Sequence, residues 1–149
     1  MPPAHHSRAP ARRPTLRLAT FNVAGRMRSG TAALASVLVQ LDVDVVALQE
    51  VKLGASELPG CIHSLNQAVV AEATRLRRQH GGYAFRAAPN AAQPASAGVM
   101  LLWRKSLEQA GHLKVSPAEA GDVHWGGRAV SAALEWGGHR LQVVCVYSQ

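Results

Sequence analysis

The sequence is poor in cysteine and aromatic residues, and it has no acidic residue before Asp42. Its two cysteines, Cys61 and Cys145, are too few for a disulfide framework and lack the paired spacing of a metal site, so both thiols are expected to be reduced. No apolar run is long enough to span a bilayer, and residues 1–14 lack the apolar segment of a secretory signal. We therefore expect neither a disulfide-rich scaffold, nor a cysteine-based metal module, nor a transmembrane helix.

Positive charge dominates the chain, which has a formal net charge of +7 and a sequence pI near 10.5. Two groups of arginines contribute to it, one before the first acid and one in mid-chain: Arg8, Arg12, Arg13, Arg17, Arg26 and Arg28, then Arg75, Arg77, Arg78 and Arg86. This balance favours a polyanionic partner, either nucleic acid or an anionic membrane surface. The alternative is a soluble basic protein without such a partner. The oligomeric state is left open.

The composition changes near residue 15. Residues 1–14 are rich in Pro, Ala, Arg and His, which predicts a disordered basic tail, with an organelle transit segment as the alternative. The chain is 48% hydrophobic and 17% charged over 149 residues, a balance that suits one globular domain with a hydrophobic core. We therefore expect that domain to occupy residues 15–149.

The domain is predicted to open with a strand, a helix and a second strand. Residues 15–23 form the first strand, and residues 42–52 carry an apolar run typical of a strand buried on both faces. Helix-starting residues at 29–31 precede apolar residues at helical spacing, namely Leu34, Val37, Leu38 and Leu41. A right-handed crossover makes the two strands parallel, so Asn22 and Glu50 are expected at the same edge of the sheet.

The remaining elements are predicted from apolar runs and turn residues. They are a helix at residues 64–80 after a loop marked by Gly54, Pro59 and Gly60, strands at 83–87 and 98–103, and loops at 89–97 and 111–127. Gly137-Gly138 joins residues 130–136 to residues 139–147, which indicates an antiparallel hairpin with a tight turn.

Polar residues end three of the predicted strands. Glu50 follows a buried strand, where a carboxylate is costly unless it is solvated, paired or bound to a cation. In α/β sheets the carboxyl ends of the strands are also where ligands bind. Each residue has a structural explanation as well: Glu50 as a helix cap or ion-pair partner, Asn22 as a turn residue, and Tyr147 as a core residue.

Five segments, in order, resemble landmarks in the opening half of the endonuclease/exonuclease/phosphatase superfamily, which includes abasic-site endonucleases and the endonuclease domains of non-LTR retrotransposons. They are Thr-Phe-Asn-Val at 20–23, Leu-Gln-Glu-Val-Lys at 48–52, Ser-Ala-Gly-Val-Met-Leu-Leu at 96–102, Gly-Arg-Ala-Val at 127–130 and Val-Cys-Val-Tyr at 144–147. The resemblance implies an α/β fold that is part of a four-layer sandwich, a mixed sheet with flanking helices.

The same resemblance implies a catalytic site made of Asn22, Glu50 and Tyr147. Glu50 matches the carboxylate ligand of a catalytic Mg²⁺, with Mn²⁺ as an alternative ion, and Asn22 matches the residue that helps hold the metal and the scissile phosphate. Tyr147 matches a tyrosine that approaches the phosphate from its strand end. Mg²⁺ prefers oxygen ligands and is typically held by one or two carboxylates plus substrate phosphates.

The resemblance covers only the first part of such a domain. Family domains continue past this tyrosine into an Asp-x-Asn element, a second sheet and a closing Asp-His pair, and none of these follows Tyr147 in the sequence. We therefore expect a chain that is inactive by itself and whose inner sheet face is an uncovered apolar patch.

The expected function is Mg²⁺-dependent phosphodiester hydrolysis directed at nucleic acid, most naturally DNA, with the retrotransposon-type endonuclease as the favoured subtype. An intracellular, nuclear location would accompany it. The alternative is a non-catalytic basic fragment that binds nucleic acid or has no function of its own.

Other polar and aromatic residues near these segments are given lesser roles. Gln49 and Lys52 are read as supporting or surface residues, and Arg128 as a structural hydrogen-bonding or exposed residue. Trp103 is expected in the core, whereas Trp136 could be core or a stacking platform for bases. The seven histidines show no metal spacing and are assigned no role.

Overall fold

A computed structural model describes residues 15–118 and 124–148, and within them the chain is a mixture of strands and helices. The predicted tail, residues 1–14, and part of the predicted loop at 111–127 lie outside the described residues. In the described part, no helix combines the length and the apolar character needed to cross a membrane. The elements are β1 (Leu18–Asn22), α1 (Thr31–Gln40), β2 (Val45–Gln49), α2 (Leu58–Arg75), β3 (Tyr83–Ala88), β4 (Val99–Arg104), α3 (Lys105–Gln109), β5 (Leu113–Val115), β6 (His124–Trp125), β7 (Ala129–Trp136) and β8 (His139–Val146).

The first sheet has the strand order β1-β2-β4-β3. β1 and β2 are direct neighbours and run parallel, with Asn22 opposite Gln49, whereas β4 is antiparallel to both of its neighbours. The predicted strand-helix-strand unit is therefore confirmed. β2 is buried on both faces, because Val45 and Val46 point to opposite sides and are 2% and 0% exposed.

The helices begin and end at residues with a clear backbone reason. α1 is followed by Asp42 in the left-handed region, at φ 53°, which ends the helix close to the predicted point. The boundaries predicted for the second helix are wrong at both ends. α2 starts at Leu58 because Pro59 fits the first turn, where its missing N–H costs nothing, and it stops before Arg77, which has φ 54°.

A second sheet is formed by β5, β7, β6 and β8, with β7 pairing with each of the others. The predicted hairpin is confirmed as β7 and β8. Gly137 and Gly138 have φ values of 55° and 80°, the two positive angles that a type I′ turn requires. The prediction of loop alone at 111–127 is wrong, because β5 and β6 lie within it. These strands are three and two residues long, too short to show a periodic pattern.

Two hydrophobic cores hold these layers together. The first lies between the two long helices and the first sheet and includes Leu38, Leu65 and Leu102. The second lies between the two sheets and includes Leu101, Trp103 and Leu134, which confirms the expectation that Trp103 is a core residue. Each large apolar side chain buried in this way stabilises the fold by about 1.5 to 3 kcal/mol.

The inner face of the first sheet is largely covered, so the prediction of a wide uncovered apolar face is wrong. Strands of this same chain form the second sheet, and their side chains bury Val45, Val99 and Leu101 of the first. Exposed apolar side chains remain on β1 and β8, where Leu18 is 57% and Val146 is 59% exposed. Helices, first sheet and second sheet make three stacked layers, in agreement with the expected α/β sandwich.

Candidate active site

Asn22 and Glu50 lie side by side at the carboxyl ends of β1 and β2. The Nδ2 of Asn22 donates a hydrogen bond of 2.7 Å to Oε1 of Glu50, and the Oδ1 of Asn22 accepts a hydrogen bond of 2.9 Å from the Ala24 N–H. The second bond fixes which way the amide faces, so its nitrogen is turned towards Glu50. This arrangement suits Asn22 to orienting the carboxylate, and direct ligation of a metal by its oxygen stays a prediction.

Lys52 contacts the other oxygen of the same carboxylate. Its Nζ lies 3.1 Å from Oε2 of Glu50. The hydrogen bond from Asn22, together with that from Lys52 and a smaller one from Tyr147, holds the pKa of the Glu50 carboxyl below its ordinary value. Glu50 is therefore an anion at neutral pH, with a cation beside it. The sequence placed Lys52 near Glu50 but did not indicate that it points back at the carboxylate.

Tyr147 reaches this edge from the second sheet. It directly follows β8, and its N–H donates a hydrogen bond of 2.8 Å to the Arg128 carbonyl. The guanidinium carbon of Arg128 lies 5.7 Å from the centroid of the tyrosine ring, within the range of a cation–π contact. The Tyr147 side chain thus reaches Glu50, and Arg128 contacts both the backbone and the ring of the tyrosine.

Gln49 joins the two sheets immediately before Glu50. Its Nε2 donates to Thr20 Oγ1 at 2.8 Å on β1 and approaches Cys145 Sγ at 3.4 Å on β8. Cys145 and Cys61 are both free thiols, as expected from the sequence. The amide of Gln49 therefore links the strand end that carries Glu50 to β1 in the same sheet and to β8 in the second sheet.

The backbone around the carboxylate adopts unusual angles. Ala24, Glu50 and Lys52 all have positive φ values, 48°, 53° and 54°. Such angles in residues other than glycine cost about 1 to 3 kcal/mol each and are concentrated at functional sites. Main-chain bonds hold them, among them Gly25 N–H to Glu50 O at 2.7 Å. The strain is consistent with a site at this edge.

The oxygen ligands at this edge suit an open divalent-cation site, in which the protein supplies only part of the coordination. They do not suit a closed site made of protein side chains alone. Within residues 15–118 and 124–148, no group of three His, Cys, Asp or Glu side chains is placed to hold a metal ion. Mg²⁺ usually needs only one or two carboxylates, because waters and substrate phosphates supply the other oxygens. Glu50 can be that carboxylate, and the ammonium beside it shows that the position favours positive charge.

Many arginines that suggested a polyanion-binding surface have partners inside the protein. Arg17 pairs with Asp42, Arg28 with Glu57 and Arg75 with Glu72. Arg86 donates to the carbonyls of Ser131 at 3.0 Å and Ser116 at 2.7 Å, so it joins the two sheets. The number of arginines therefore overstates the number of guanidinium groups that are available to a partner. Arg8, Arg12 and Arg13 lie outside the described residues.

The sequence matches one protein family over most of its length. Residues 19–142 match the model of the Endonuclease/Exonuclease/phosphatase family. Comparison with curated protein sequences gave no significant match.

Three solved structures resemble this fold. They are the AP endonuclease LMAP from Leishmania major (22% identity, TM-score 0.52), D. rerio TDP2 humanized by 14 mutations (19%, 0.51), and an endonuclease/exonuclease/phosphatase family protein from Leptotrichia buccalis (13%, 0.57). The similarity covers 87%, 87% and 91% of this chain but only 38%, 45% and 54% of those chains, in the same order. This chain thus spans about half of each or less.

Proposed function

The chain belongs to the endonuclease/exonuclease/phosphatase family, and from that membership we propose that its polar sheet edge is one part of a phosphodiester-hydrolysing site that works with a divalent cation. The observation that carries the proposal is the contact of Asn22 with Glu50 at the shared edge of two parallel strands, 2.7 Å between amide nitrogen and carboxylate oxygen. Asn22 and Glu50 are 28 positions apart in the sequence, and at this edge the amide of Asn22 contacts the carboxylate of Glu50.

Glu50 would hold the cation, with Mg²⁺ as the natural ion and Mn²⁺ as an alternative. When bound, such a cation neutralises charge on the phosphoryl group and on the leaving oxygen. Asn22 keeps the carboxylate in one orientation, and Gln49 links the strand before Glu50 to β1 and to β8. Tyr147, held by Arg128, would place its hydroxyl beside the substrate phosphate. Fixed polar groups of this kind act by positioning and by electrostatics.

Nucleic acid, and DNA in particular, is the substrate we propose. The basic net charge of +7 supports it, as does the likeness in fold to an AP endonuclease. The same charge leads us to favour a retrotransposon-type endonuclease as the subtype. A polyanionic substrate would be drawn to such a protein at low ionic strength.

We expect the 149-residue chain to lack hydrolytic activity when tested alone. The chain spans only 38%, 45% and 54% of the three solved structures that it resembles, and the residues assigned to this edge include no general base for the attacking water. This observation also favours a second candidate function, which is nucleic-acid binding without hydrolysis.

Two measurements on the wild-type chain and a Glu50→Ala variant test these proposals. Mn²⁺ binding, followed by the loss of the free-ion EPR signal, should be weakened at least tenfold in Glu50→Ala, because the substitution removes the carboxylate ligand. Equal binding in both proteins would overturn the metal site. Mg²⁺-dependent nicking of supercoiled plasmid should be absent from both; nicking by wild type alone would show that the chain is itself a nuclease.

The binding alternative is separated by a third measurement. A nucleic-acid-binding fragment would be supported over a hydrolase if the chain binds no Mn²⁺, binds DNA more weakly as the salt concentration rises, and binds DNA equally well after Glu50→Ala. Glu50-dependent Mn²⁺ binding would argue against that alternative.

A further inference from the structure

Both oxygens of the Glu50 carboxylate are already engaged by groups of this chain. Asn22 donates to Oε1, and the Lys52 ammonium lies 3.1 Å from Oε2. The two side chains of the ion pair are only partly exposed, Lys52 at 34% and Glu50 at 20%. The ammonium of Lys52 therefore occupies a position beside the carboxylate where a divalent cation would also bind.

The backbone holds Lys52 in this place. Its N–H donates a hydrogen bond of 2.9 Å to the Ala97 carbonyl, and its φ of 54° turns the side chain back towards Glu50. The aliphatic stem crosses Gly25, where an added Cβ would lie 3.0 Å from Lys52 Cδ. Gly25 also donates its N–H to the Glu50 carbonyl at 2.7 Å. One glycine thus fixes the carboxylate's backbone and leaves space for the lysine.

We propose that Lys52 is the internal counter-ion of Glu50 and competes with the divalent cation for it, an inference that rests on the proposed function of Glu50 as the metal-binding carboxylate. A positive charge 3.1 Å from Oε2 and a divalent cation on the same carboxylate repel each other strongly. The cation must therefore displace the ammonium, and the affinity of the site for metal is set by this exchange.

The exchange has a physical route. Lys52 is one-third exposed and its stem is flexible, so the ammonium can move into solvent without breaking the backbone bond to Ala97. Without metal, the pair keeps a charged and partly buried carboxylate compensated. Lys52 is thus a positioning residue of the metal-free site and an antagonist of metal entry.

The test is a set of Mn²⁺ titrations by EPR on the full chain and four variants. Lys52→Met keeps the stem over Gly25 and removes the charge, and it should bind Mn²⁺ about fivefold more tightly than wild type, the upper end for a partly exposed ion pair. Lys52→Arg keeps the charge and should stay within about twofold of wild type. Arg26→Met removes a charge next to Gly25, in the segment that follows β1, and should also change the affinity by less than about twofold. Glu50→Gln should abolish the binding.

The outcomes separate this inference from the proposed function. The competition is overturned if Mn²⁺ binding depends on Glu50 but is not tightened by Lys52→Met, or is tightened equally by Arg26→Met. Either result would still support the metal site. Mn²⁺ binding that is unaffected by Glu50→Gln overturns both. If wild type binds no Mn²⁺ and Lys52→Met does bind it, the competition is supported. If neither protein binds Mn²⁺, both the competition and the metal site are overturned. Circular dichroism of each variant confirms that the fold is retained.

Discussion

The Asn22 amide connects the segments that follow β1 and β2: its nitrogen is 2.7 Å from Glu50 Oε1 and its oxygen is 2.9 Å from the Ala24 nitrogen. Because both ends of the amide are engaged, the side chain cannot rotate without losing one of these bonds. Asn22 therefore limits the orientations open to the carboxylate, in addition to supplying it with a donor.

Replacing Asn22 by alanine should weaken Mn²⁺ binding by about three- to tenfold, because a hydrogen bond to a charged group is lost and the carboxylate can rotate. EPR titration measures the change. Gln40→Ala, which removes an exposed amide at the end of α1, is the matched control and should bind like wild type. Unchanged affinity in Asn22→Ala would contradict a role in orienting Glu50.

Gln49→Leu should lower the free energy of unfolding by about 1 kcal/mol, because the hydrogen bonds of the amide to Thr20 on β1 and to Cys145 in the second sheet are lost. Urea denaturation followed by tryptophan fluorescence measures this change. Gln40→Leu, an exposed substitution in α1, should stay within about 0.5 kcal/mol of wild type. Equal effects of the two substitutions would show that the inter-sheet link contributes nothing.

Stability should fall as the pH is lowered from about 6.5 to 4, in part because of His80. Burial, with a contribution from Arg104 that Asp42 partly offsets, lowers the pKa of His80 to about 4. The ring packs on Tyr83 at 4.8 Å, and its Nδ1 accepts the Gly82 N–H at 3.0 Å, which favours the neutral form.

An unfolded histidine has a pKa near 6.5, so below that pH the unfolded chain takes up the proton first and the folded state loses stability. The loss should be about 1 to 2 kcal/mol after allowance for the partial exposure of the ring. Unfolding free energies of wild type and His80→Gln between pH 4 and pH 7 test this, since the variant should show a shallower slope. His63→Gln, an exposed substitution on α2, is the composition-matched control; parallel curves for wild type and His80→Gln would refute the assignment.

Gly127→Ala should destabilise the fold more than Gly138→Ala, although both glycines have positive φ, 71° and 80°. A Cβ at Gly127 would lie 2.7 Å from Asn90 Cβ, whereas at Gly138 it would meet open space. We expect a loss of about 1 kcal/mol at Gly138 from backbone strain alone and about 2 to 4 kcal/mol at Gly127, where a clash adds to it. Thermal or urea unfolding of the two variants measures the difference, and equal losses would contradict the close packing at Gly127.

Local patterns predicted most of the first sheet and the closing hairpin. The apolar run before Glu50 indicated a doubly buried strand, and the parallel direction of the two strands in a strand-helix-strand unit placed Asn22 and Glu50 at one edge. The start of α2 was missed because Pro59 and Gly60 are typical of loops as well as of a first helical turn. The strands β5 and β6 were missed because two or three residues show no periodicity and pair only when β7 is present.

By itself the sequence determined the elements whose signals are local, the family, and the meeting of an amide with a carboxylate at the end of two strands. Only the tertiary structure decided that a second sheet covers the first, that Arg86 joins the sheets instead of facing solvent, and that Lys52 turns back onto Glu50. The physical reason is that periodicity and chirality act between neighbours in the chain. The partner of a long charged side chain such as that of Lys52 depends on its backbone angles and on the space beside Gly25, which is distant in the sequence. A local sequence pattern predicts neither of these.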